Sequence, residues 1–271
     1  MKNLFYTILL SVFIFMTGCE NVSVVNPDLN YKEYVVVRAE LIAGEDFTGV
    51  KFTRTQPLDQ QYDGTNAAIT SNVTAYLKIN KVQIVPLHHV GNGVYMASDR
   101  LPIHSGNTYE LFAKVNDMGI YSITTVPETP TAESANFNNN INFQAKIYTT
   151  PEVVYGAAWE IYNIGNDQVI DAASDFQEVV QNQDSFSRSA IPVNTTALPE
   201  KYRSGNYSNL WYIRIYAYDN QYLKYFETRN NNQPISDVFS QGGDQIIWNV
   251  HGTNAIGLFI GVAKGKHIKV Q

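Results

Sequence analysis

Apolar residues recur at every second position along much of this chain, and that period constrains the fold more than any other feature. In residues 34–41 the odd-numbered positions Val35, Val37, Ala39 and Leu41 are all apolar. The pattern returns in residues 50–52, 73–79, 82–84, 109–115 and 120–126. Alternation with a period of two, rich in valine, is typical of half-buried β-strands.

Turn signals such as Asp63-Gly64 and Gly91-Asn92-Gly93 separate these runs. Roughly seven short strands in about 100 residues is the spacing of an immunoglobulin-like sandwich, which we therefore predict for residues 33–128. Tyr109 follows the turn residue Gly106 and opens a late strand. It is predicted to be either a tyrosine corner, with its phenol bonded to nearby backbone, or a plain core tyrosine.

The alternation stops in residues 129–142, which offer little apolar surface to bury. Pro127 and Pro130 each remove a backbone donor and so interrupt strand pairing. We predict a linker here, although a long loop of the sandwich would look similar.

Residues 143–271 are predicted to form a second β-rich domain. Residues 210–218 alternate again, and residues 220–229 favour a short helix because Tyr222, Tyr225 and Phe226 are spaced i, i+3 and i+4. Residues 246–250 and 256–262 read as a closing hairpin. The expected fold class is thus mostly β: an N-terminal immunoglobulin-like β-sandwich, then a second β-rich domain with at most one or two short helices.

The N-terminus reads as an export signal. Lys2 precedes an apolar run over residues 4–15, which is shorter than the about 20 residues that a membrane-spanning helix needs. Met16-Thr17-Gly18-Cys19 then resembles the lipobox of bacterial lipoproteins. We predict a signal peptide over residues 1–18, cleavage between Gly18 and Cys19, lipid such as palmitate on Cys19, and a tether over residues 19–32. The alternative is an ordinary signal peptide with a chance cysteine.

Cysteine count and charge limit what the chain can do. Cys19 is the only cysteine, so once it carries lipid no disulfide can form. The formal net charge of -6 disfavours nucleic acid and anionic lipid headgroups as partners. The lipid on Cys19 is then the expected contact with the membrane.

A search for catalytic or metal-binding patterns finds none that carries a prediction. His88 and His89 are adjacent, so in a strand they would point to opposite faces, and the other histidines are scattered. The pairs Asp59 with Asp63 and Asp171 with Asp175 are close in sequence only, as surface turn acids often are. We expect no catalytic residues, no metal and no cofactor, and the chain is not expected to be an enzyme.

Aromatic residues are the one ambiguous feature. Tyr212, Tyr216 and Tyr218 share one face of a predicted strand and could stack on sugar rings. Aromatic residues that alternate in a strand are more often packing residues.

Several segments together resemble the Bacteroidota lipoproteins grouped as domain of unknown function 4249. They are the lipoprotein signal and residues 34–41, 49–55, 105–111, 124–127, 248–250 and 257–261. The resemblance implies an outer-membrane lipoprotein, often encoded beside a TonB-dependent receptor. It transfers no catalytic residues.

We therefore expect a lipid-anchored protein of the cell envelope, in the outer membrane, on its periplasmic or its surface face. Its expected role is that of a non-enzymatic accessory protein that docks on an outer-membrane partner such as a TonB-dependent receptor. The alternatives are a surface module that binds a glycan or a peptide, and a hydrolase with an unrecognised site.

Overall fold

A computed structural model describes residues 31–57, 61, 63–139, 141–163, 168–182, 190–204, 207, 210–229 and 246–271. The chain divides into two compact units. The larger unit comprises Glu33–Gln56 and Tyr62–Gln271 and holds every element named below. Of the smaller unit, Met1–Lys32 and Pro57–Gln61, the structure describes residues 31, 32, 57 and 61.

Strands dominate the described residues, which confirms the expected mostly β fold class. In chain order they are β1 (Val35–Ile42), β2 (Val50–Arg54), β3 (Val73–Ile79), β4 (Gln83–Gly91), β5 (Val94–Ala97), β6 (Thr108–Val115), β7 (Met118–Thr125), β8 (Ala132–Asn138), β9 (Asn142–Tyr148), β10 (Val153–Tyr162), β11 (Val169–Ala172), β12 (Val179–Gln181), β13 (Ala190–Asn194), β14 (Trp211–Asp219), β15 (His251–Gly252), β16 (Ala255–Lys264) and β17 (Ile268–Lys269). A 3-10 turn lies at Glu200–Tyr202, and helix α1 at Gln221–Thr228. The predicted short helix is therefore confirmed. No helix among the described residues is long and apolar enough to cross a membrane.

The described strands form one large sheet and one small sheet. The large sheet has the order β11-β10-β14-β16-β1-β2-β5-β4-β3-β6-β7-β15, with β12 beside β10 and β17 beside β14. The small sheet has the order β13-β9-β8. The long strands follow the predicted alternation: in β1 the odd-numbered residues are buried, and in β14 Trp211, Ile213, Ile215 and Ala217 are buried.

The strands from β1 to β7 surround a first hydrophobic core. β1 is antiparallel to β2 and parallel to β16 over its whole length, from Val35 opposite Ala255 to Ile42 opposite Val262. At the other end of this path β15 pairs with β7, and a turn at residues 253–254 leads directly into β16. Since β16 pairs with β1, the chain passes from β7 through β15 to the strand beside β1.

Asn249 joins β7 to β16 where no strand ladder does. Its side-chain amide donates to the Phe259 carbonyl at 2.6 Å and accepts from the Phe259 N–H at 3.0 Å. Its own carbonyl accepts from the hydroxyl of Ser122, in β7, at 2.7 Å. These contacts correct the predicted closing hairpin: residues 246–250 are not a strand, β15 pairs with β7, and β16 pairs with β1 and β14.

Two main core clusters divide the described chain. The first contains residues of β1 to β7 and Phe259 of β16, and the second contains residues of β8, β9, β10, β13 and β14 and Ala263 of β16.

The segment predicted as a linker, residues 129–142, contains β8, which pairs with β9 from Ala132 to Asn138. The expected break in strand pairing is therefore corrected for residues 132–138, which form a strand of the small sheet. The small side chain of Ala135 fits against the second core, although the segment has few large apolar residues.

Each core contains a tyrosine whose hydroxyl accepts a hydrogen bond from the backbone N–H of the residue five positions earlier. The Tyr109 hydroxyl accepts from the His104 N–H at 3.0 Å, which confirms the tyrosine-corner interpretation. The Tyr155 hydroxyl accepts from the Thr150 N–H at 2.8 Å. Both rings are buried, and the second corner was not predicted.

Candidate functional site: an aromatic row on the outer face of the large sheet

The N-terminal prediction lies outside the part of the chain that the structure describes. Gly18 and Cys19, the expected cleavage and lipidation site, fall in residues 1–30 together with most of the expected tether. Lipidation of Cys19 therefore stays a prediction.

The three tyrosines predicted as a stacking surface are covered by other aromatic rings. Phe176 lies 5.4 Å from Tyr216 and 5.9 Å from Tyr218, measured between ring centroids, and Tyr212 lies 4.8 Å from Tyr162. Tyr218 is 9% exposed and stacks on Tyr222 at 4.1 Å. The three share a face of β14 as predicted, but they do not form an open platform.

The burial of Tyr222 and its neighbours should make the stability of the protein fall at alkaline pH. Burial raises the pKa of Tyr222 to about 12, and burial also raises the pKa of Tyr218 and of Tyr216. Between pH 10 and pH 12 the unfolded chain then loses the Tyr222 proton before the folded protein does, so stability falls as pH rises. Since each pH unit of separation is worth about 1.4 kcal/mol, Tyr222→Phe should regain about 2–3 kcal/mol near pH 12.

Urea unfolding at pH 8 and at pH 11.5–12 measures this effect. Tyr148→Phe, which removes a hydroxyl from an exposed side chain on β9, is the matched control. An identical alkaline loss in Tyr222→Phe and in the parent protein would contradict the assignment.

The acidic residues weighed in the sequence analysis have protein partners where the structure describes them. Asp171 contacts Tyr202 and Lys201, and the hydrogen bond from Tyr202 lowers the pKa of this carboxyl. Asp175 pairs with Arg229 at 2.7 Å, and Asp59 lies outside the described residues. Within the described ranges, no group of three or more histidine, cysteine, aspartate and glutamate side chains is placed to hold a metal ion.

The sequence analysis did not predict a charged cluster around the buried carboxylate of Glu160, which lies on β10 beside Arg214 of β14. Arg214 Nε lies 2.8 Å from Glu160 Oε1, and His267 Nδ1 lies 2.8 Å from Glu160 Oε2. The Tyr162 hydroxyl donates to the same carboxylate at 3.1 Å, and burial beside Glu160 raises the pKa of Tyr162 to about 12. Because the protein's own side chains occupy both carboxylate oxygens, this cluster favours a structural role.

A row of half-buried aromatic residues lies on a different part of the sheet. We define the aromatic row as Tyr76 of β3, Phe112 of β6 and Tyr121 of β7, which lie directly opposite one another across adjacent strands. The ring centroids are 5.1 Å apart for the first pair and 5.0 Å apart for the second. Their neighbours in sequence, among them Ala75, Leu77, Leu111, Ala113 and Ile120, point into the first core. The row therefore lies on the outer face of the sheet.

The row continues at both ends. Pro86 of β4 lies opposite Tyr76, and His251 of β15 lies opposite Tyr121. Together with Thr74, Lys114 and Gly119 the rings line a shallow groove of about 550 Å³. Cross-strand aromatic pairs stabilise a sheet, but they do not require a solvent-facing groove.

Exposed aliphatic residues extend this surface along β4. Ile84 is 61% exposed and lies on the same strand face as Pro86 and His88, and Val90, which is 60% exposed, follows them at a β-bulge between His89 and Gly91. Scattered single apolar residues on a surface need no explanation, but a contiguous apolar patch marks an interaction site. We call Ile84, Pro86, His88 and Val90 the β4 column.

One acid lies beside the row with only one of its oxygens bonded. Glu110 lies on the same face of β6, two residues before Phe112, and its side chain is buried. Its Oε2 accepts from the Tyr121 hydroxyl at 3.4 Å, whereas its Oε1 is buried and accepts no hydrogen bond from any described residue. A buried acceptor of this kind is normally satisfied, so Glu110 is an exception among the described residues.

The sequence contained the residues of the row but not their adjacency. Tyr76, Phe112 and Tyr121 occupy the polar phase of three separate strands, where each alone reads as ordinary sheet surface. A count of aromatic residues on the outward phase of consecutive strands is the signal that would have found them.

Comparison with known proteins gives a family and no activity. No curated protein matches this chain. A family model described as "Domain of unknown function (DUF4249)" matches residues 22–268, nearly all of the chain that follows Cys19. The chain therefore belongs to the family of domain of unknown function 4249.

Proposed function

We propose that this protein is a lipid-anchored component of the cell envelope that acts by binding an outer-membrane protein and not by catalysis. The observation that carries the proposal is the aromatic row, whose three rings line a groove, together with the exposed side chains of the β4 column. Aromatic residues are enriched at protein interfaces, where a buried apolar centre is surrounded by a polar rim. Here Lys78, Lys114 and Thr74 supply polar groups around the rings.

The aliphatic side chains favour a protein over other partners. Ile84 and Val90 can contribute apolar area, but they cannot hydrogen-bond sugar hydroxyls. A lipid on Cys19 would confine the protein to the membrane surface and raise its effective concentration near neighbours there. A TonB-dependent receptor is the partner that the family resemblance implies.

Purification from mild detergent tests this proposal with variants matched in chemistry. We expect the tagged parent protein to recover an outer-membrane receptor in stoichiometric amount, and Ile84→Ser/Val90→Ser to lose most of it. Val169→Ser/Ile170→Ser is the control, because these aliphatic side chains on β11 are exposed to a similar degree. Cys19→Ala should remain unlipidated and leave the membrane fraction.

Three results would contradict the proposal. The β4 and β11 variants could lose the receptor equally, or the parent could purify alone from several detergents. The parent could also dimerise through the β4 column, which would make a second copy of this chain the occupant.

A glycan is the second candidate, favoured by the three neighbouring aromatic rings that line the groove, with Glu110 beside them. Sugar rings stack on aromatic side chains while carboxylates accept hydrogen bonds from their hydroxyls. Binding of a glycan panel that Glu110→Gln and Tyr76→Ser both abolish, with receptor recovery unaffected, would favour this candidate over the first.

A further inference from the structure

A second cavity lies on another part of the molecule, between helix α1 and the face of β1 and β16. It has a volume of about 330 Å³, which is within the range of small-molecule sites. Val36, Leu258 and Ile260 form its aliphatic floor. The aromatic row and the β4 column do not line this cleft, so the two surfaces can be tested separately.

Four aromatic residues form one wall of the cleft. Tyr218 stacks on Tyr222 with their planes 13° apart, and Tyr225 lies 5.3 Å from Trp248. Tyr222 and Tyr225 are 5.8 Å apart and connect the two pairs. A cavity with an aromatic wall and an aliphatic floor selects a ligand with a ring or another flat apolar group.

Two tyrosines of this wall have hydroxyl groups that no described residue hydrogen-bonds. Tyr218 and Tyr222 are each 9% exposed, so most of each ring is buried. Because both phenols keep their protons at neutral pH, they can donate to an acceptor on a ligand.

Two side chains of opposite charge lie at the rim of the cleft. Arg38 and Glu40 both line it, lie two residues apart on β1, and are exposed. Neither forms an ion pair with a described residue. The strand rise places their Cα atoms about 6.6 Å apart, and an extended dipeptide spans about the same length between its two charged ends.

We propose that the cleft binds a dipeptide with an aromatic side chain. The ring enters the space between the aromatic wall and the floor. The terminal carboxylate binds the Arg38 guanidinium, and the terminal ammonium binds Glu40. The peptide carbonyl accepts from the phenols of Tyr218 and Tyr222. This arrangement uses both charges at the rim and the hydroxyls of both stacked tyrosines.

Titration calorimetry on the full chain in mild detergent tests the proposal, with glycyl-L-phenylalanine as the probe. N-acetylation removes its cation, amidation removes its anion, and glycylglycine lacks the ring. Since a charge-assisted hydrogen bond is worth about 1.5–3 kcal/mol, each of the first two changes should weaken binding about tenfold or more. Trp248 offers a second readout by fluorescence, because Trp159 and Trp211 are buried in the second core.

Paired variants identify the contacts. Arg38→Gln should bind the probe and its amide equally, and Glu40→Gln should bind the probe and its acetyl derivative equally. Lys146→Gln, at an exposed position of β9, should bind like the parent. Three results would overturn the proposal: no binding of the probe at about 10 mM, equal binding of all four peptides by the parent, or preferential binding of methyl β-glucoside.

Discussion

Replacing Gly257 with alanine should unfold the protein or leave it close to unfolding. Gly257 lies in β16 directly opposite Val37 of β1, with a φ of +135°. A Cβ at this position would lie 1.9 Å from the Val37 carbonyl oxygen and 2.8 Å from the Val37 carbonyl carbon and nitrogen. The clash is with backbone, so relief requires β1 and β16 to separate.

The cost of that separation is large compared with the stability of a domain. Overpacking in a core costs about 1–3 kcal/mol, and a positive φ costs a non-glycine residue about 1–2 kcal/mol more. A total of about 4 kcal/mol removes much of a folding free energy of about 5–15 kcal/mol. It also breaks the pairing that returns the sheet to its first strand.

Urea unfolding followed by far-ultraviolet circular dichroism measures the loss. Gly119→Ala is the matched control, because Gly119 also lies in a strand and a Cβ there would contact nothing within 4 Å. We expect Gly119→Ala to unfold near the parent midpoint. If Gly257→Ala unfolded at the same urea concentration as Gly119→Ala, the tight approach of β1 to β16 would be wrong.

The pairing of β1 with β16 also shows where sequence reasoning ends. Alternation in residues 34–41 predicts the strand and its buried face, because that pattern is local. The partner of β1 begins at Ala255, far along the chain, and no local pattern specifies which distant strand completes a sheet. The glycine at position 257 reads as an ordinary strand glycine until its neighbour is known.

The candidate sites were partly predictable for the same reason. The shared face of Tyr212, Tyr216 and Tyr218 follows from alternation, whereas its cover by Phe176 does not, since Phe176 lies outside any regular strand. Gly156 of β10 lies opposite Tyr216 and leaves space for the Phe176 ring. A Cβ at Gly156 would lie 2.8 Å from that phenylalanine ring. Contacts between separate strands decide whether an aromatic face is open or covered.

Arg214→Met should be the second strongly destabilising change, because it leaves Glu160 without its arginine partner. The Glu160 side chain is 7% exposed and that of Arg214 is 20% exposed, and the two groups approach to 2.8 Å. Removing one partner of a buried ion pair costs about 3–5 kcal/mol, since the remaining charge stays in a medium that solvates it poorly. Methionine keeps much of the alkyl volume, so the loss reports the charge and not a cavity.

Arg100→Met is the control that isolates burial. Arg100 Nε also lies 2.8 Å from a carboxylate oxygen, that of Asp46, but this pair is on the surface. Solvent already screens such a pair, so its loss should change the unfolding midpoint little.

In the double variant Arg214→Met/Glu160→Met neither charge of the pair is left, and we expect most of the lost stability to return. Equal midpoints for Arg214→Met and Arg100→Met, or a double variant no more stable than Arg214→Met, would mean that the Glu160 carboxylate is solvated by other means. The energetic importance assigned to this cluster would then be wrong.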